Sequence, residues 1–213
     1  LLFIFVMRYT GAKFKLCRRE GVNLFWPMKY DVRQNRKLPG QHGANAPRYS
    51  EYGKLLRNKQ MLKRIYQLSE KQFKRLVTET AAKFAKNNSV GHDKAVFQFL
   101  ERRLDTIMLR AWLAQTIMQA RQIVVHGHST LNGKKHNIPS YVVREWDVIE
   151  IKTRLKDSAL YQTSPLVSGQ HILPSWIKVD KSKLRIEIVA NPNSEEVSLP
   201  VDVLKVIEYY ARA

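Results

Sequence analysis

The sequence predicts an α+β fold in three parts: an extended basic N-terminal arm over 1–49, a helical domain over 50–91 plus 195–213, and an α+β domain with antiparallel strands over 92–194. Three observations carry this. The first stretch lacks hydrophobic periodicity and recurs in Gly and Pro; the second repeats apolar residues at helical spacing; the third passes from helical patterning into short β-type runs around Asn132-Gly133. With 213 residues, 44% of them hydrophobic and 10% aromatic, the chain can fill one large core or two small ones.

In the arm, Gly11, Gly21, Pro27, Pro39, Gly40, Gly43 and Pro47 punctuate a chain rich in Lys and Arg, so it is expected to order only against a partner. Tyr9, Phe14, Phe25, Trp26 and Tyr30 interleave with Arg18, Arg19, Lys29 and Arg33. Such rings either stack on RNA bases or fill a small satellite core. The apolar run from Leu1 to Val6 is too short for a membrane span or a signal-peptide core and reads as an extension ahead of a start at Met7. A single cysteine, Cys17, excludes an internal disulfide framework.

Helical patterning starts after Ser50: Leu55, Leu56, Leu62, Ile65 and Tyr66 mark a packing side, and Lys54, Arg57, Lys59, Lys63 and Arg64 a basic one. Ser69 and Gln72 form a capping box for a second helix, with Phe73, Leu76, Val77, Thr80 and Phe84 turned to the first. Positions 87–91 break the pattern. Asp93 is expected to cap a third helix, through Val96, Phe97 and Leu100, that runs on or bends into Leu104, Ile107 and Met108. Thr116 and Gln119 form another capping box, opening a helix that ends at Gly127. Strands follow up to Leu131, from Lys134, and over 141–143, 148–152, 176–179 and 184–189, the first two joined by the Asn-Gly hairpin signal. A last helix over 201–210, with Leu204, Ile207 and Tyr210 as its apolar stripe, needs the helical domain as its host.

Charge is the strongest functional signal. From Arg8 to Arg75 eighteen Lys or Arg face four acids, Glu20, Asp31, Glu51 and Glu70, so this third of the chain holds fourteen of its nineteen net positive charges. Such density favours a polyanion, whose counterions are released on binding, and nucleic acid is the leading partner. Cys17, His42, His126 and His128 lack the paired spacings of a structural zinc site. No phosphate-cradling glycine loop and no nucleophile elbow occur. Arg103-Leu104-Asp105 is similar to a motif of pseudouridine synthases, but it continues into a helical run, where the Asp pairs with an Arg or caps a helix. Arg102, Arg103, Arg110, Arg121, Lys134 and Lys135 either converge on one groove or stand as solvated charges.

The run Leu104-Asp105, Ala120-Arg121-Gln122-Ile123-Val124, His126-Gly127-His128, Leu131-Asn132-Gly133-Lys134-Lys135 and Asn137-Ile138-Pro139-Ser140-Tyr141 resembles an RNA-binding module, spanning about 101–155, that is shared by several RNA-binding families. Arg8-Tyr9-Thr10-Gly11, Leu16 to Gly21, Pro39 to Gly43, Ser50 to Gly53, Lys63 to Tyr66, Pro174-Ser175-Trp176 and Ile207 to Tyr210 are similar, in order, to signatures of the small-subunit ribosomal protein S four family. That resemblance implies a non-catalytic constituent of a bacterial-type small ribosomal subunit, with an organellar ribosome left open. It implies direct binding to the five-prime domain of small-subunit rRNA, nucleation of subunit assembly, a place beside ribosomal protein S five and near mRNA where it enters, a contribution to accuracy, and no cofactor or membrane. RNA contacts are then expected from Arg8, Lys13, Lys15, Arg18, Arg19, Arg36, Lys37, Gln41, His42 and Arg48 in the arm. The helical domain supplies Tyr52, Lys54, Arg57, Lys59, Lys63 and Arg64, and the module Arg102, Arg103, Arg110, Arg121, His126, Asn132, Lys134 and Lys135.

The chain departs from the family in two places. Many relatives carry four zinc-binding cysteines in the N-terminal segment, whereas Phe14 stands at the first and positions 29–34 offer none, so Cys17 reads as a remnant and no zinc is expected. After Pro39 to Gly43 the chain reads Ala44-Asn45-Ala46-Pro47-Arg48 where relatives are more basic.

Overall fold

The computed structural model describes residues 9, 11–25, 31–32, 37–41, 43, 48–88, 90–152, 162 and 173–212. Its elements are those of an α+β protein: α1 (Lys13–Glu20), α2 (Glu51–Ile65), α3 (Glu70–Arg75), a π-helical stretch (Leu76–Ala81), α4 (Ala82–Asn88), α5 (His92–Glu101), α6 (Leu104–Arg110), α7 (Ile117–Val125), β1 (Ser129–Leu131), β2 (Lys134–Lys135), β3 (Val148–Ile151), β4 (Ile177–Asp180), β5 (Arg185–Ile188) and α8 (Val203–Arg212). Two compact units result, Leu1–Lys83 with Leu199–Ala213, and Phe84–Ser198.

In the first unit α1 was not foreseen. It lies in the stretch expected to lack regular structure, and ends on Gly21 in the left-handed region at φ 73°, with Arg18 and Arg19 in the last turn where cations suit the helix dipole. Its anchor is Cys17, fully buried with Leu24 and Val32 against Phe14, Phe25, Met61 and Ile65. Of the two readings of the arm's aromatics, the satellite core therefore holds for Phe14 and Phe25. Trp26 and Tyr30 lie outside the described residues.

Ser50 caps α2 by accepting from the Gly53 N–H, and Ser69 with Gln72 forms the expected capping box on α3. Phe73, Val77 and Ala81 are buried, but Thr80 is exposed: the helix widens into π geometry from Leu76 and so departs from the 3.6-residue period. The last helix, α8, packs on α2 as expected. Its buried anchor is Val206 and not Leu204, which is 62% exposed. The docking is aromatic as well: Tyr209 meets Tyr52 with ring centroids 5.4 Å apart, and Tyr210 meets Phe73 at 6.1 Å.

In the second unit α5 is capped by Gly91, with Asp93 in its first turn instead of at the cap. Arg102 and Arg103 break the chain between α5 and α6, so the expected helix bends instead of running on. Thr116 accepts from the Gln119 N–H at 3.2 Å, but Gln119 Oε1 takes the Gln115 N–H at 2.8 Å, so the second half of that capping box is displaced by one residue.

The sheet is antiparallel throughout, in the order β2-β1-β3-β5-β4. Asn132 and Gly133 turn the first hairpin with φ 49° and 77°, the doubly positive geometry that Asn-Gly accepts at least cost. The stretch over 141–143 is not a strand; it makes one isolated bridge, Arg103 with Val142. Alternation sends Ile149, Ile151, Ile186 and Ile188 inward, where they meet Leu104, Ile107, Met108, Ile123, Val124 and Trp176 of one core.

Candidate nucleic-acid interface

In the first unit the cations fall into two kinds. Lys13, Lys15, Arg19, Lys37 and Arg48 are exposed, as is Gln41. Arg18 instead ties α1 to the chain beyond it, donating from Nε to the Lys37 carbonyl at 2.8 Å and from Nη2 to the Leu38 carbonyl at 3.2 Å. Arg8, Arg36 and His42 lie outside the described residues. Cys17 Sγ accepts from the Leu24 N–H at 3.4 Å, and burial pushes its thiol pKa up, so it serves the core.

The helix α2 does not divide simply into a packing side and a gripping side. Lys59 is only 4% exposed. Its Nζ lies 2.7 Å from Glu70 Oε1, with Lys63 Nζ 2.8 Å from Oε2 and the Tyr210 hydroxyl donating to Oε1 at 2.9 Å. Lys59 also stands 4.9 Å from the Tyr209 ring centroid, within cation–π range. Burial acts to raise the Glu70 pKa, but the hydrogen bonds from Lys59, Lys63 and Tyr210 outweigh it and bring it down to about 2. Burial and the Glu70 carboxylate together raise that of Tyr210. Lys59 is thus turned away from solvent, its ammonium group directed at Glu70 and the Tyr209 ring.

On the same helix, Arg57 and Arg64 meet the Glu20 carboxylate from α1. Both donate from Nη1 to Oε1, Arg57 at 3.1 Å. Burial raises the Glu20 pKa, with the two arginines acting against it. Lys54 pairs with Glu51 at 2.6 Å in the open, and Tyr52 is half exposed with its hydroxyl donating to Tyr209 at 3.1 Å.

The second unit repeats the device. Asp105 is fully buried and takes Arg103 Nε at 3.0 Å and Nη2 at 2.9 Å, Arg121 Nε at 2.6 Å, and the Thr106 N–H at 3.0 Å. Arg103 is 9% exposed, so it too is largely enclosed; Arg121 remains partly open at 21%. Glu101, also buried, binds Arg110 Nε at 2.8 Å and Nη2 at 2.7 Å. Arg102 donates to the Val143 carbonyl at 2.7 Å and to Asn191 at 3.2 Å, and burial lowers its pKa. Of the six cations that either converge on one groove or stand as solvated charges, Arg103 and Arg121 are joined through Asp105, while Arg102 and Arg110 take other partners.

Lys134 and Lys135 are exposed on β2. Gly127, at φ 67°, lets the hairpin approach α7, since a Cβ there would come within 2.6 Å of Lys135 Cε. The residue before Gly127, His126, is the exposed C-cap of α7. The Asn132 side chain serves the turn, donating to Asp147 at 2.8 Å and accepting from the Val148 N–H at 2.9 Å. Sequence reasoning missed the roles of Glu20 and Glu101, whose side chains are buried, and of Glu70, which stays partly open to solvent. For Glu20 and Glu70, their rarity in so basic a stretch was the available signal. Among the described residues, no group of three His, Cys, Asp or Glu side chains could hold a metal ion, and no helix is long and apolar enough to cross a membrane.

The "Ribosomal protein S4/S9 N-terminal domain" profile matches residues 8–101, and the "S4 domain" profile residues 102–149. The small ribosomal subunit protein uS4 of Thermodesulfovibrio yellowstonii is 38% identical over 96% of this chain and 99% of its own. This chain belongs to the small ribosomal subunit protein uS4 family. The uS4 proteins of Thermotoga maritima and Clostridioides difficile are 39% and 37% identical over the same shares of both chains. The uS4 family is structural and not enzymatic, in keeping with an Asp105 whose carboxylate is enclosed by two arginines instead of facing a substrate.

Proposed function

We propose that this chain is a structural constituent of the small ribosomal subunit that binds rRNA directly, as a cytoplasmic bacterial-type uS4 protein. What supports this best is continuous resemblance across both units, residues 8–149, combined with cations backed by buried carboxylates on helices of each. Phosphate contacts from Lys13, Lys15, Arg19, Lys37, Arg48, Lys54, Arg57, Lys63 and Arg64 would fix register in the first unit. Arg121, Lys134, Lys135 and His126 would do so in the second. Exposed Tyr52 and Gln41 add stacking and polar contacts to RNA that is recognised by shape. Lys59 and Arg103 act from behind, holding the helices that present the others.

The finer reading puts this binding in the five-prime domain of small-subunit rRNA. The bound chain favours one arrangement of a helical junction by binding it better than the alternatives, and so starts assembly. It further puts the chain beside ribosomal protein S five and near entering mRNA, with an effect on accuracy. Binding of the purified chain to a five-prime-domain transcript against an equal mass of unrelated folded RNA tests the reading. A clear preference at moderate salt supports it, and equal binding contradicts it.

A further inference from the structure

Arg57 and Arg64 both direct Nη1 at one atom, Oε1 of Glu20. Seven residues separate them on α2, about two helical turns, so they share a face. Glu20 is the last residue of α1 and its side chain is 1% exposed, while the two arginines are 24% and 21% exposed. One oxygen serving both brings two like-charged guanidiniums together where mutual repulsion would splay them. Each guanidinium has five N–H donors and gives one to Glu20; among the described residues no other partner takes the rest. Burial raises the Glu20 pKa, so the carboxylate is held where solvation alone would not favour its charge. The result is an anion enclosed behind two partly open planar forks, which is the donor arrangement a phosphate recognises.

We propose that Glu20 is a positioning residue for RNA binding, holding Arg57 and Arg64 side by side so that the pair clamps one phosphate of the folded RNA. The inference rests on the rRNA-binding reading above. It runs against simple charge counting, by which removing an acid from a chain of net charge +19 should tighten its hold on a polyanion.

The test measures binding of the full chain to a five-prime-domain rRNA transcript for wild type, Glu20→Gln, the pair Arg57→Lys with Arg64→Lys, and all three together, with folding followed by circular dichroism. Glu20→Gln should weaken binding roughly five- to tenfold although it makes the chain more positive. The double lysine variant, unchanged in net charge, should lose a similar factor because ammonium groups lack the fork. Adding Glu20→Gln to it should cost nothing more, since Glu20 acts only through the two guanidiniums; a merely structural glutamate would cost as much in either background. Unchanged or tighter binding by folded Glu20→Gln, or full additivity with the lysine pair, overturns the role of Glu20. Should Glu20→Gln fail to fold, undiminished binding by the lysine pair overturns it. A wild type without preference for the transcript overturns the rRNA reading itself.

Discussion

Lys59 Nζ lies 2.7 Å from Glu70 Oε1, and that ion pair turns a lysine from the basic run of α2 into part of the seam between α2, α3 and α8. Lys63 and Tyr210 complete the arrangement around the same carboxylate. Net charge concentrates cations in this stretch, but carboxylates a few residues or a few dozen residues away decide which of them face outward.

The Glu70 ion pairs should be visible in acid. The pKa of Glu70 in the folded chain is about 2, below the ordinary carboxylate value, so its contribution is present above the unfolded value of about 4.3 and fades as pH falls toward 2. Thermal unfolding between pH 6 and pH 3 should show the midpoint falling less steeply for Glu70→Gln than for wild type. Glu20, with its pKa raised by burial, has the opposite sign: its ionisation disfavours folding as pH rises through that raised value.

Asp105 should prove structural. Replacing it with Ala leaves the enclosed Arg103 without its carboxylate beside a buried void and should cost about 3 kcal/mol of stability, measured by urea unfolding. Incubation of wild type with rRNA should yield no pseudouridine or methylation, so none should disappear in the variant.

Gly127→Ala should cost about 1–2 kcal/mol, because the residue sits at φ 67° where a Cβ is strained. The new methyl would also press on the Lys135 chain at 2.6 Å. A lower melting temperature together with weaker RNA binding is the expected pair of results. Weaker binding at an unchanged melting temperature would contradict the strain argument.

What the sequence made legible was local. The capping box at Ser69 and Gln72, the Asn132-Gly133 turn and the alternation of Ile186 with Arg185 and Glu187 each need only neighbours a few residues apart. Asp105 was legible for the same reason, since Arg103 lies two residues before it. What stayed hidden depended on distance along the chain. Glu20 is 37 residues from Arg57, and Glu70 is 140 from Tyr210. The helix α1 was obscured because charged residues crowd its 8 positions, so buried Cys17 with half-buried Phe14, instead of a full apolar stripe, marks its inner side. On α8 the stripe expected at Leu204 moved to Val206, because the host surface on α2 selects the face.

The most direct test of the account is the salt dependence of binding to a five-prime-domain rRNA transcript, compared between wild type and the triple variant Arg57→Ala, Lys63→Ala, Arg64→Ala. Every phosphate that the variant no longer neutralises should take roughly 0.7–0.9 off the slope of log K against log salt, so the triple variant should flatten it by about two to three units. An unchanged slope in a folded triple variant would put those side chains outside the interface and contradict the account.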